Sequence, residues 1–273
     1  MLLCGPFKFD LARPLVMGIV NATPDSFSDG GLYNRHDAAI AYARQLMEEG
    51  ADIIDIGGES TRPGAQAVSV EEELARVLPV IEGLHGVPIS VDTFKPEVMK
   101  AAIAAGVHMI NDINALQDEA AMNIVAGSNA AVCLMHKQGN PQTMQQQPCY
   151  RDVVDEVGVF LRARIEAALA AGIARERMLI DPGFGFGKTL HHNLLLLREL
   201  NELAGMGVPL LAGLSRKSML GAITGQDAQH RMPASVAAAL IAVQRGASIV
   251  RVHDVRATVD ALKIWNAIKG EAE

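Results

Sequence analysis

Cysteine is scarce in this chain: Cys4, Cys133 and Cys149 are the three among 273 residues, and no two form a Cys-x-x-Cys pair. Such a set excludes a disulfide framework and a structural zinc site and fits a reduced, cytoplasmic protein. Basic residues are outnumbered, 24 against 31 acidic, for a net charge of −7. Attachment to nucleic acid or to an anionic membrane by bulk charge is therefore not expected, although a local cationic pocket is compatible with it. No apolar run reaches the roughly 18 residues of a membrane span, and Met1-Leu2-Leu3 passes at once into Gly5, Pro6 and Lys8, unlike a signal peptide. No Gly-x-Gly-x-x-Gly follows the first strand-like run, so a dinucleotide site has no support. Gly187-Lys188-Thr189 matches the end of a nucleotide P-loop, but the first glycine of that motif would fall on Pro182. His191-His192 has no Cys or Glu at ligand spacing and reads as a solvated pair at a helix start.

What is present is one unit repeated. With 49% hydrophobic residues the chain can bury one large core, and α/β barrels reach this length as a single domain, here spanning 1–273. After a possible hairpin around Phe7 to Leu11, short continuous apolar runs alternate with helical patterns. The runs are Val16–Val20, Ile53–Ile56, Ile89–Val91, Val107–Ile110, Ala131–Met135, Met178–Ile180, Pro209–Gly213 and Ile249–Val250. The helical patterns cover Asp37–Glu49, Val70 to about His85 with Pro79 expected to bend or split it, Lys95–Ala105, Asp118–Ala126, Tyr150–Ala171, a stretch from Leu190, Pro233–Arg245 and Val255–Ile268. Strands without alternation suit a sheet covered on both faces, and about eight units predict a (β/α)₈ TIM barrel rather than a doubly wound open sheet. The Gln-rich connection Lys137–Pro148 reads as a surface loop.

In such a barrel the polar residues that end the strands meet at one mouth. They are Asn21, Asp92, Asn111, Asp181, Lys217, Arg251 and His253. Each alone could be a helix cap. Together they sort into two tasks: Asp and Asn match a ring offering N–H donors and a carbonyl, while Arg251 and His253, with helix-start N–H groups, suit a phosphorylated tail. The Asn21 amide oxygen could help ligate Mg²⁺ on a diphosphate. Asp181-Pro182-Gly183-Phe184-Gly185-Phe186-Gly187-Lys188 follows a buried run and reads as a ligand-binding rim, or as a Gly-rich turn capping the next helix. Asp55 is either a partner of Arg251 or a satisfied buried acid.

Asn21 to Gly31, Gly57 to Gly64, Asp181 to Lys188, Ser215-Arg216-Lys217-Ser218 and Arg251-Val252-His253-Asp254 stand in the order found in bacterial dihydropteroate synthases. The chain resembles that pterin-binding family over essentially its whole length. The resemblance implies an enzyme of folate synthesis joining 7,8-dihydropterin-6-ylmethyl diphosphate to 4-aminobenzoate with release of diphosphate. Asp92, Asn111, Asp181 and Lys217 would hold the pterin; Arg251, His253, Asn21 and Thr61 would hold the diphosphate, Asn21 also contributing to Mg²⁺. Phe27, Asp29, Thr61, Arg62 and Pro63 would lie on two loops that close over the site. With Phe186, Lys217 and Ser218 these loops would form the aminobenzoate pocket, which sulfonamides occupy as mimics. Asp29, Lys217, Arg251 and His253 carry the expected catalytic roles. The resemblance also implies a homodimer through outer helices. Departures at Phe94 and Lys137 flank the proposed ligands without replacing them. A pterin-dependent methyltransferase, or a silent pterin-binding barrel, is the rival reading; Arg251-Val252-His253 speaks against the methyltransferase, which has no diphosphate to hold.

Overall fold

The computed structural model describes residues 1–23, 32–60, 67–139 and 143–270. Its N-terminal hairpin pairs β1 (Leu2–Cys4) with β2 (Phe7–Phe9), one turn earlier than the hairpin expected around Phe7–Leu11. Eight parallel strands follow: β3 (Leu15–Asn21), β4 (Ile53–Gly57), β5 (Ile89–Asp92), β6 (Met109–Asp112), β7 (Ala131–Met135), β8 (Met178–Asp181), β9 (Leu211–Ala212) and β10 (Ile249–Val252). They hydrogen-bond in the order β8-β7-β6-β5-β4-β3-β10-β9, and a parallel bridge from Ile180 to Leu210 brings the two ends together. This is the (β/α)₈ barrel that the run of strand-helix units predicts.

Two cores result from the pleat. Outward residues such as Ile54, Ile56, Val91, Ile110, Val132, Ile180 and Val250 pack under the helices. Inward residues Leu15, Met17, Ile53, Met109, Ala131, Cys133, Leu179, Leu211 and Ile249 fill the lower barrel, and Leu2 and Cys4 close its floor. Both faces are buried, so the strands carry no polar face below the mouth.

The helices are α1 (Leu32–Glu48), α2 (Val70–Glu82), α3 (Pro96–Ala104), α4 (Glu119–Ala126), α5 (Val153–Ala170), α6 (Leu190–Arg198), α7 (Leu200–Ala204), α8 (Ser218–Thr224), α9 (Met232–Gln244) and α10 (Val255–Lys269). Side-chain caps start several: Ser69 accepts from Glu72 N, Asp118 from Ala120 N, and Asp152 from Val154 N. Of the two outcomes expected at Pro79, splitting does not occur: α2 runs through it as one helix, and the buried Val77, Val80 and Ile81 hold it on the barrel. The α8 helix lies between the runs read from the sequence, where Met219 and Leu220 find cover. His192 is more than a solvated histidine: it completes a capping box with Thr189 and meets the Tyr150 ring edge-on. No helix among the described residues is long and apolar enough to cross a membrane.

Candidate functional site

The inward face of four strands changes character two residues above the apolar floor. Ile53 is followed inward by Asp55, Met109 by Asn111, Leu179 by Asp181 and Ile249 by Arg251. Strand pairing sets Asp55 beside Ser90, and Asp92 beside Asn111, at neighbouring heights. A period of two thus turns one strand after another from wall into site.

Arg251 sits at the centre of this layer. Its Nε donates to Asp55 Oδ2 at 2.5 Å and its second guanidinium nitrogen to Asp92 Oδ2 at 2.8 Å. Asn111 Nδ2 donates to the same Asp55 oxygen at 3.1 Å. With Nδ2 engaged in this bond, Asn111 keeps Oδ1 as a buried acceptor. Asp55 is fully buried, and it is the partner of Arg251 that one of the two sequence readings allows. Asp55 Oδ1, Ser90 Oγ, Asp92 Oδ1 and Asn111 Oδ1 are buried and have no hydrogen-bond partner among the described residues. Four such atoms on three adjacent strands are an acceptor-rich cleft waiting for donors. Burial pushes the Asp92 carboxyl up to about 7 against the pull of Arg251. Burial works against the charge of Arg251, yet Asp55 and Asp92 hold its pKa above the ordinary range.

Asp181 closes the cleft from β8. Its Oδ1 accepts from Gly183 N at 2.7 Å, and burial raises its pKa while Lys217 opposes the rise. Gly213 lies beside it: a Cβ there would be in ordinary contact with Asp181 Oδ2, at 3.7 Å. Lys217 comes over from the β9 loop, donates to the Phe184 carbonyl, and lies 4.7 Å from the Phe186 ring centroid. Burial lowers its pKa to about 8. Arg216, at φ 58°, turns outward to Asp254 with bonds of 3.1 and 2.5 Å, so that Ser215 and Lys217 on either side face inward.

The Gly-rich rim is pressed against the β7 loop. A Cβ on Gly183, at φ +67°, would lie 1.9 Å from the His136 carbonyl oxygen, and one on Gly187, at φ +64°, 2.4 Å from that of Gln138. Only glycine allows that approach. Phe184 is fully buried, whereas Phe186 is partly open beside Lys217.

On the other side of the mouth, His253 Nδ1 lies 3.0 Å from Ser215 Oγ, and the His253 backbone N–H donates to the same hydroxyl at 3.2 Å. Asn21 ends β3 beside Gly57 and is partly exposed. Among the described residues no group of three or more His, Cys, Asp or Glu side chains converges on a metal position. A magnesium ion here would take one protein oxygen from Asn21 and complete its shell with phosphate oxygens and water, which is how this ion is commonly held.

The barrel thus brings together Asn21, Asp92, Asn111, Asp181, Lys217, Arg251 and His253 at one end of the strands. Arg251 is engaged with carboxylates of the cleft, more deeply than a purely phosphate-facing residue would be. Ser218 opens α8 next to Lys217 and is exposed. Phe27, Asp29, Thr61, Arg62 and Pro63 lie outside the described residues. Sequence reading passed over Ser90 and Ser215, although polar residues two places from a strand-end ligand were a usable signal for both. It also passed over the pairing of His136 with Lys188.

A model of the family described as "Pterin binding enzyme" matches residues 17–253. A dihydropteroate synthase of Neisseria meningitidis serogroup C is 56% identical, covering 97% of this chain and 96% of its own length. The Yersinia pestis dihydropteroate synthase, solved with a sulfonamide drug, superposes with a TM-score of 0.93 at 50% identity, covering 98% of this chain and 99% of that one. The Burkholderia cenocepacia dihydropteroate synthase, complexed with 7,8-dihydropteroate, gives 0.90 at 52% identity, covering 98% and 96%. With such likeness over nearly the whole chain, and a cleft of that chemistry, this chain belongs to the pterin-binding enzymes and, within them, to the dihydropteroate synthases.

Proposed function

We propose that the chain condenses 7,8-dihydropterin-6-ylmethyl diphosphate with 4-aminobenzoate to give 7,8-dihydropteroate and diphosphate. The observation that carries this reading is the row of unpartnered acceptors, Asp55 Oδ1, Asp92 Oδ1 and Asn111 Oδ1, beside Asp181 in one buried cleft. A pterin edge presents ring N–H and amino donors to such a row, and Lys217 answers its carbonyl. The product bound to the Burkholderia cenocepacia relative joins the same two halves.

In the reaction the bond from the pterin methylene carbon to oxygen breaks, and diphosphate leaves with the electron pair. The cation spreads into the ring, the aniline nitrogen lone pair forms the new C–N bond, and the nitrogen then gives its proton to solvent or to the departed anion. No enzyme nucleophile is needed. Asp92 and Asp181 favour the positive charge as it develops, and Arg251 and His253 favour the leaving anion. Mg²⁺ on Asn21 would supply further neutralisation of the diphosphate. Asp29, with Phe27, Thr61, Arg62, Pro63, Phe186, Lys217 and Ser218, would complete the aminobenzoate side, where sulfonamides bind by mimicry; the sulfonamide-bound Yersinia pestis relative supports that reading.

Buried, unpaired Cys4 and Cys133 suit the cytoplasm. The working form is a homodimer through outer helices. Leu190 and Leu194 on α6, Ile223 on α8, and Met232 and Ile241 on α9 are exposed on neighbouring helices, and monomers rarely expose clustered apolar side chains.

Incubation with the dihydropterin diphosphate, 4-aminobenzoate and Mg²⁺ tests the activity. Diphosphate release that requires all three is expected; release indifferent to aminobenzoate, or none, overturns it.

A further inference from the structure

Lys188 is buried, 3% exposed, with no carboxylate in hydrogen-bond contact among the described residues. Its Nζ meets His136 Nδ1 at 2.9 Å, the Gly183 carbonyl at 3.0 Å and the Phe186 carbonyl at 3.0 Å. Three donors find three acceptors, so none is left for a ligand. The bonded groups are not arbitrary. His136 N donates to the Asp181 carbonyl at 2.9 Å, and Gly183 N holds the Asp181 carboxylate at 2.7 Å. Lys188 therefore ties the end of β7 to the turn that carries Asp181, from behind the cleft. An isolated charge placed there costs solvation, which a mere loop tie would avoid by using an apolar or amide side chain.

We propose that Lys188 is a positioning residue for pterin binding: its bonds to His136, Gly183 and Phe186 shape the turn that presents Asp181, without touching the substrate.

Charge supports the geometry. Lys188 is among the cations that oppose the rise of the Asp181 pKa, with Lys217 and Arg251 ahead of it. Burial lowers Lys188 to about 7, and burial with the neighbouring Lys188 lowers His136 to about 3, so the imidazole stays neutral and accepts. Other groups around it are Tyr150, whose hydroxyl donates to the Gly187 carbonyl at 2.9 Å, and His192 against the Tyr150 ring. The sign follows: removing a cation beside Asp181 makes its carboxylate take a proton at higher pH. Above the Lys188 pKa wild type and an uncharged variant carry the same charge, so their difference narrows.

The inference rests on the cleft being the pterin seat. Its test is Lys188→Met in the full chain, with calorimetry against dihydropterin diphosphate and steady-state kinetics. Expected is a rise of about tenfold in pterin Kd near about pH 6.5, shrinking to below about threefold near about pH 8.5, with the aminobenzoate KM changed less than about twofold. An unaltered pterin Kd, or equal rises in both constants without a change in pH profile, overturns the proposal. If that variant does not fold, His136→Phe keeps the ring packed on Phe160 while removing the acceptor. It should raise the pterin Kd about threefold or more through loss of the bond from the Lys188 ammonium to the imidazole, and no change overturns the proposal. Failure of the unmodified chain to bind the pterin would instead sink the reading of the cleft.

Discussion

Asp55 illustrates how much a single buried carboxylate decides. It takes a charged bond from Arg251 and an amide bond from Asn111 on one oxygen, and so sets the direction in which both neighbours present themselves. Asp55→Asn removes the charge and offers Asn111 a donor as readily as an acceptor, so the Asn111 amide loses its fixed orientation. Pterin affinity should fall about tenfold or more, since a buried guanidinium and a misdirected amide each cost on the order of 1–3 kcal/mol. Calorimetry with dihydropterin diphosphate reads this; affinity within twofold of wild type, about 0.4 kcal/mol, would show that Asp55 only fills space. A chemical denaturation curve recorded on the same sample separates lost binding from lost fold.

Among the elements, the β8 loop carries the tightest steric demand. Gly183 and Gly187 hold left-handed backbone while facing carbonyls of the β7 loop, so the two loops are closer than any Cβ permits. Gly183→Ala must move the turn whose N–H holds Asp181. We expect a loss of about 2 kcal/mol or more in unfolding free energy from the strained φ and the backbone overlap. Pterin binding should fall with it. A variant with wild-type denaturation midpoint and wild-type pterin affinity would contradict this account. A second clasp lies on the opposite side of the mouth. There Lys95 Nζ joins Glu59 at 2.7 Å, Glu73 at 2.6 Å and the Val68 carbonyl at 2.5 Å, fixing β4's exit and the approach to α2 from the start of α3.

At the scale of the whole molecule, the proposed dimer makes Ile223→Glu diagnostic. An ionised side chain inside an apolar contact should shift sedimentation toward the monomer at micromolar concentration while leaving the barrel's circular dichroism unchanged. A chain that already sediments as a monomer would dispose of that assembly. The barrel was legible beforehand because doubly buried strands leave continuous apolar runs and because most runs end in a polar residue; both are local facts of the chain. Strand-end position likewise placed Asp92, Asn111, Asp181 and Lys217 at one rim. What no local pattern contains is pairing between distant residues. Asp55 stayed ambiguous until Arg251, 196 positions away, lay against it. Lys188 looked like the end of a failed phosphate motif until His136 proved to be its acceptor. The short helix from Ser218 is not written in a local pattern, because its stability comes from neighbours that cover Met219 and Leu220. Periodicity and residue type are written along the chain, so sequence determined the barrel and the kinds of groups at its mouth. Burial, amide direction and charge partnership depend on which strands close on one another, so only the folded molecule decided how those groups act.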